Sequence, residues 1–200
     1  DYFGEAQYAE LRQLARQAAR TTRGGPRVLI LPGIMGSKLG IRRSILWDDV
    51  IWIDPLDVLI GRLRKLELPE AGGGKIEALG VLLFAYAKLK LRLRAAGFDA
   101  EFRAFDWRQD IPTLGAALAK DIAKTGGPVH LVAHSMGGLV ARAAWKEKPD
   151  NLKRIVTLGT PNYGSYAPIQ AFRGVHSVVS KVALLDLASS AEDLAGIFKS

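Results

Sequence analysis

The stretch Val129-His130-Leu131-Val132-Ala133-His134-Ser135-Met136-Gly137-Gly138-Leu139-Val140-Ala141 decides how this chain is read. An apolar run of strand length meets a serine flanked by small residues and passes into a segment of helical character. A serine held between strand and helix sits on a strained backbone, in a turn so tight that side chains two before and two after it would collide with it. Ala133 and Gly137 meet that demand, so G-x-S-x-G is present with alanine in its first place. Ser135 is therefore the candidate nucleophile. The same turn aims the backbone N–H of Met136 at the point where an oxyanion would form, reinforced by the positive end of the helix. The plainer reading is a serine that caps a helix; such a serine needs no small residue two positions before it.

A second segment points the same way. Arg27-Val28-Leu29-Ile30-Leu31 reads as a buried strand, and Pro32-Gly33-Ile34-Met35-Gly36-Ser37 breaks it at once with turn-forming residues. A loop after an early strand supplies the second oxyanion donor where a serine attacks from such a turn. The N–H of Ile34 is assigned that role, with Met35 as the neighbouring alternative. An ordinary strand-to-helix turn is the competing reading of this loop taken alone.

Four separated pieces carry a family resemblance: Leu31-Pro32-Gly33-Ile34-Met35-Gly36-Ser37, Asp106-Trp107-Arg108, His134-Ser135-Met136-Gly137-Gly138 and Gly159-Thr160-Pro161-Asn162-Tyr163-Gly164-Ser165. In order and approximate spacing the chain resembles the lecithin:cholesterol acyltransferase-like family of α/β-hydrolases, from about Arg27 onward. The serine piece alone would indicate only some α/β-hydrolase; the first two pieces, with Trp47 and Trp52 between them, narrow it. The resemblance implies a lipid-directed esterase, lipase, phospholipase or acyltransferase working through an acyl-serine intermediate.

Strands and helices alternate along the chain. Glu5 to Arg20 reads as an amphipathic helix covering the core, with Ala6, Leu11, Leu14, Ala15 and Ala18 on one face and Arg12, Arg16 and Arg20 largely opposite. The stretch from Leu39 to Leu68 fits neither period. Lys75 to Ala96 is predicted as one long helix, followed by a strand at Asp99 to Phe105, a helix from Ile111 to Lys124, the strand ending at Ala133, its helix to Lys148 and a strand at Arg154 to Leu158. Strands separated by helices argue for an α/β fold, a mostly parallel sheet with helices on both faces. The expectation is one α/β-hydrolase domain over residues 1–200, the N-terminal part of such a domain, with an insertion at about 40–75.

Acyl transfer by serine needs a base and an acid, which follow the serine in this fold. The chain has three histidines. His134 adjoins Ser135, and neighbouring side chains on a sharp turn diverge; His130 lies lower in the same strand. His176 arrives before the strands that normally carry the pair, and Asp186 and Asp193 fall on the solvated side of a helix predicted from Val182 to Phe198. The acid and base, with the C-terminal strands, are expected beyond Ser200.

The predicted insertion concentrates aromatic and branched residues in Ile45-Leu46-Trp47-Asp48-Asp49-Val50-Ile51-Trp52-Ile53-Asp54-Pro55-Leu56. It reads either as a lid or acyl-binding wall or as core packing. Trp47 and Trp52, with Met35, Asn162 and Tyr163, are the candidate substrate contacts, whereas Asp106-Trp107-Arg108 is expected to be structural. The basic run Arg62-Leu63-Arg64-Lys65-Leu66 and a net charge of +8 fit peripheral contact with an anionic membrane surface. No nucleic-acid motif accompanies the charge. No cysteine, metal-ligand spacing or phosphate-cradling loop is present, so neither metal nor cofactor is expected. The longest apolar run, Ala78 to Ala87, is far short of the roughly 20 residues that span a bilayer, and the sequence does not indicate a compartment. A non-catalytic hydrolase-like domain that binds lipid or a partner protein is the alternative to an enzyme.

Overall fold

The computed structural model describes residues 4–21, 24–43, 48–52, 65–67 and 75–173. Among them the strands are β1 (Arg27–Leu31), β2 (Ser37–Arg42), β3 (Asp48–Trp52), β4 (Ile76–Val81), β5 (Asp99–Phe102), β6 (Val129–His134) and β7 (Leu152–Leu158). The helices are α1 (Gly4–Arg20), α2 (Leu83–Ala95), α3 (Ile111–Ala123), α4 (Met136–Lys146) and α5 (Ala167–Phe172). The chain divides into two compact units, one built from Asp1–Gly36, Val81–Ala104 and Gln109–Thr160, the other from Ser37–Gly80, Phe105–Arg108 and Pro161–Ser200.

The first unit holds a parallel sheet in the order β5-β1-β6-β7. Its strands are the four read from the sequence, and β1 and β6 at its centre are apolar runs, as a strand covered on both faces requires. Alternate side chains of β1 serve opposite faces. Val28 and Ile30 pack with Ala100 under Leu89 and Leu93 of α2. Leu31 faces the other way, where a Cβ added at Gly137 of α4 would stand 3.0 Å from its own. Helices therefore cover both faces. On the α4 face α3 lies alongside, so close that a side chain at Gly115 would strike the backbone of Ala143 and Ala144. Asp110 caps α3 by accepting the Thr113 N–H at 2.8 Å.

Helix α1 differs from its expected role. It buries no residue and rests on α2, with Glu10 bonded to Lys88 at 2.6 Å and Arg92 at 2.9 Å. Those contacts hold the Glu10 carboxyl below its ordinary value, Lys88 most of all. Leu11, Leu14 and Ala18 are half-buried because they meet another helix rather than the sheet.

The second unit contains an antiparallel pair, β2 with β3, and β4 on the other side of β2. Two corrections follow. Residues 37–52 supply two strands where no period was legible, and Ile76–Val81 is strand β4, not the first turns of a long helix. Glycine weakens a helix interior, and Gly80 stands just before Leu82, where the helix starts. In this unit Trp52 meets Trp107 edge to face at 5.6 Å. Trp107 Nε1 donates to the Ser37 carbonyl at 3.2 Å, and the Ser37 hydroxyl accepts the Phe105 N–H at 3.2 Å. Arg108, its side chain 1% exposed, pairs bidentately with Asp106 at 2.6 and 2.9 Å and donates to the Leu66 carbonyl at 3.2 Å. Asp106-Trp107-Arg108 thus has the structural character expected of it. Leu66 is fully buried, and the rest of the basic run, except exposed Lys65, lies outside the described residues.

Candidate active site

The sheet order fixes where a site forms. From β1 the chain reaches β5 on one side; from β5 it passes back to β6 on the other side of β1, and from β6 it continues to β7. Connections therefore leave β1 and β6 in opposite directions, and a crevice opens at the carboxyl ends of such a strand pair. The register places Leu31 against Ala133. The loop after β1 and the turn after β6 consequently rise side by side, although they are far apart in the sequence.

Ser135 stands in the turn with φ 52° and ψ −122°, a left-handed conformation for a residue with a side chain, immediately before α4. Its N–H donates to the Leu158 carbonyl at 2.9 Å, and its carbonyl accepts the Gly138 N–H at 3.0 Å. The side chain makes no capping bond, which sets it apart from an ordinary helix cap. Small neighbours are needed as expected. Ala133 is fully buried, a Cβ at Gly137 would meet the Pro32 carbonyl, and one at Gly138 would fall on the Thr160 side chain. Ser135 itself is partly exposed.

Gly33 faces the serine: a Cβ there would lie 3.0 Å from the Ser135 Cβ and 3.0 Å from His134 Nδ1. The loop closes as a turn in which Gly36 N–H donates to the Gly33 carbonyl at 3.0 Å, with Met35 at φ 59°. Gly33 N–H donates to the Tyr86 hydroxyl at 2.9 Å. Those bonds occupy the donors of Gly33 and Gly36, while the Ile34 N–H donates to no described residue. Met136 begins α4, so its N–H has no intrahelical acceptor. Gly33 and Tyr86 were not singled out from the sequence; a tyrosine within a helix of mixed apolar and basic residues carries no signal of such a contact.

The remaining candidates lie elsewhere. Trp52 is 6% exposed and packed against Trp107, so its indole fills a core and has little surface to offer a substrate. Asn162 and Tyr163 sit in an exposed turn of the second unit. Trp47, His176, Asp186 and Asp193 fall outside the described residues. Of the histidines, His134 directs Nδ1 to the Tyr86 hydroxyl at 3.0 Å, and His130 is half-buried in β6 with its Nδ1 unpartnered. Among the described residues no group of carboxylates, histidines or cysteines could hold a metal ion, and no helix is long and apolar enough to cross a membrane.

A mostly parallel sheet with helices on both faces and a strained serine between a central strand and its helix define an α/β-hydrolase-like domain. Residues 113–190, under half of the chain, match a family model described as the PGAP1-like alpha/beta domain. No curated protein matches the sequence. Among solved structures the chain is similar to the Bacillus licheniformis lipase BlEst2 in its propeptide form, with a TM-score of 0.45 and 19% identity over 84% of this chain and 31% of that one. The chain thus spans about a third of that protein's length.

Proposed function

We propose that this chain carries the nucleophile and oxyanion-binding part of a serine hydrolase or acyltransferase acting on lipid esters. Ser135 Oγ gives up its proton to a general base, which later passes it to the leaving alcohol, and attacks the ester carbonyl carbon; a C–O bond forms, and the carbonyl oxygen takes up negative charge between the N–H groups of Ile34 and Met136. Collapse of that intermediate breaks the bond to the alcohol, which leaves with a proton, and the acyl group remains on Ser135 until water or a second alcohol removes it. Loss of one such donor costs about 10²–10³ in rate, so two donors held in place account for much of the catalysis. Met35, Asn162 and Tyr163 are offered as contacts for the acyl chain, and the segment at about 40–75 as a lid or acyl-binding wall. The acid and base are sought outside the described residues. Narrowing the family to the lecithin:cholesterol acyltransferase-like group rests on the four motifs.

The observation that carries this reading is the left-handed backbone of Ser135 with Gly33 pressed against its Cβ. A fluorophosphonate probe added to the full-length protein is expected to label Ser135 and to leave Ser135→Ala unlabelled. Tight lipid binding without labelling would instead identify a non-catalytic lipid-binding domain.

A further inference from the structure

The Tyr86 hydroxyl touches both halves of the candidate site. Tyr86 lies in α2, 8% exposed, and its oxygen accepts the Gly33 N–H at 2.9 Å while standing 3.0 Å from His134 Nδ1. The two rings meet edge to face at 5.8 Å. A phenol has one proton to give. Gly33 can only donate to the oxygen, and the contact with Nδ1 joins the same oxygen to the imidazole of His134. Burial pushes the phenol above its ordinary value, opposed in part by the Gly33 bond, so the hydroxyl keeps its proton through the neutral range. The loop is shaped around this oxygen: a Cβ at Gly36 would come within 2.9 Å of it.

Gly33 immediately precedes Ile34, and His134 immediately precedes Ser135. We propose that Tyr86 is a positioning residue whose hydroxyl ties the peptide before the oxyanion donor to the side chain before the nucleophile, fixing the separation of Ile34 N–H and Ser135 Oγ. The proposal rests on the reading of Ser135 as a nucleophile and Ile34 as a donor. A turn closed by a single i to i+3 bond has freedom to rock. Held at its first residue by a buried phenol, it presents the Ile34 N–H at one height. Displacement of such a donor by about 1 Å costs on the order of 10²-fold in rate, so the tie acts on the transition state.

Tyr86→Phe removes one oxygen and keeps the ring. In the full-length protein its hydrolysis of p-nitrophenyl butyrate and its rate of fluorophosphonate labelling are expected to fall by roughly 10-fold or more, with KM unchanged. Amide hydrogen exchange at residues 33–36 is expected to quicken. His134→Leu cuts the other end of the tie, so its effect on kcat combined with Tyr86→Phe is expected to be much less than the product of the two. His134→Gln, which keeps a hydrogen-bonding group, is expected to retain more activity than His134→Leu. Unchanged kcat in a Tyr86→Phe enzyme would overturn the tie while leaving the nucleophile in place, whether or not loop exchange quickens. Failure of the wild-type protein to label at Ser135 would overturn the nucleophile reading first, and the tie with it.

Discussion

At Ser135 the backbone stands at φ 52°, in a region that residues with a Cβ enter at a cost of about 1–3 kcal/mol. Ser135→Ala keeps the Cβ and so keeps the strain, whereas Ser135→Gly removes it at an entropic cost of about 0.5–1 kcal/mol. The glycine variant is therefore expected to be the more stable of the two by about 1 kcal/mol, read as a higher urea midpoint at unchanged slope. Coincident unfolding curves would show that the turn stores no strain. This residue was legible in the sequence because steric exclusion leaves a mark: small residues must stand two before and two after it. Tyr86 left none, since a helix of mixed apolar and basic residues accepts a tyrosine whether or not its hydroxyl has a partner. Trp52 was open to two readings, an acyl-binding wall and a core, for a related reason. Aromatic composition reports a need for burial and does not say whether a core or a ligand provides it.

Strands β1 and β6 of the parallel sheet were readable as apolar runs, and helices α3 and α4 by their 3.6 period. Strands β2, β3 and β4 were not. Their side chains are mixed in burial, and β4 runs into α2 with little more than Gly80 to mark the change. Helices α3 and α4 approach closely, with Gly115 against Ala143 and Ala144. An alanine at Gly115 gains about 1 kcal/mol in helix propensity but must push apart two packed helices, an overpacking that costs about 1–3 kcal/mol. Gly115→Ala is expected to lower the melting temperature, and because α4 begins directly after Ser135, to slow any fluorophosphonate labelling of that serine as well. A melting temperature equal to or above wild type would mean that the helices separate freely.

For the molecule as a whole, the net charge of +8 has one consequence that stands apart from the site. If the substrate is met at an anionic lipid surface, association with vesicles containing phosphatidylserine is expected to weaken steeply as salt rises from about 0.05 to about 0.3 M, because screening shortens to a few ångströms. Salt-independent binding would assign the attachment to apolar contact instead. The path of the chain carries a further consequence. After Gly36 it departs into the second unit and comes back at Leu82, whose N–H donates to the Gly36 carbonyl at 3.0 Å. Exit and re-entry thus share one doorway. Lengthening an excursion whose ends already touch adds closure entropy only logarithmically, so this doorway admits additional sequence at little thermodynamic penalty. New specificity could be grown there while Gly33 and Ser135 stay where they are.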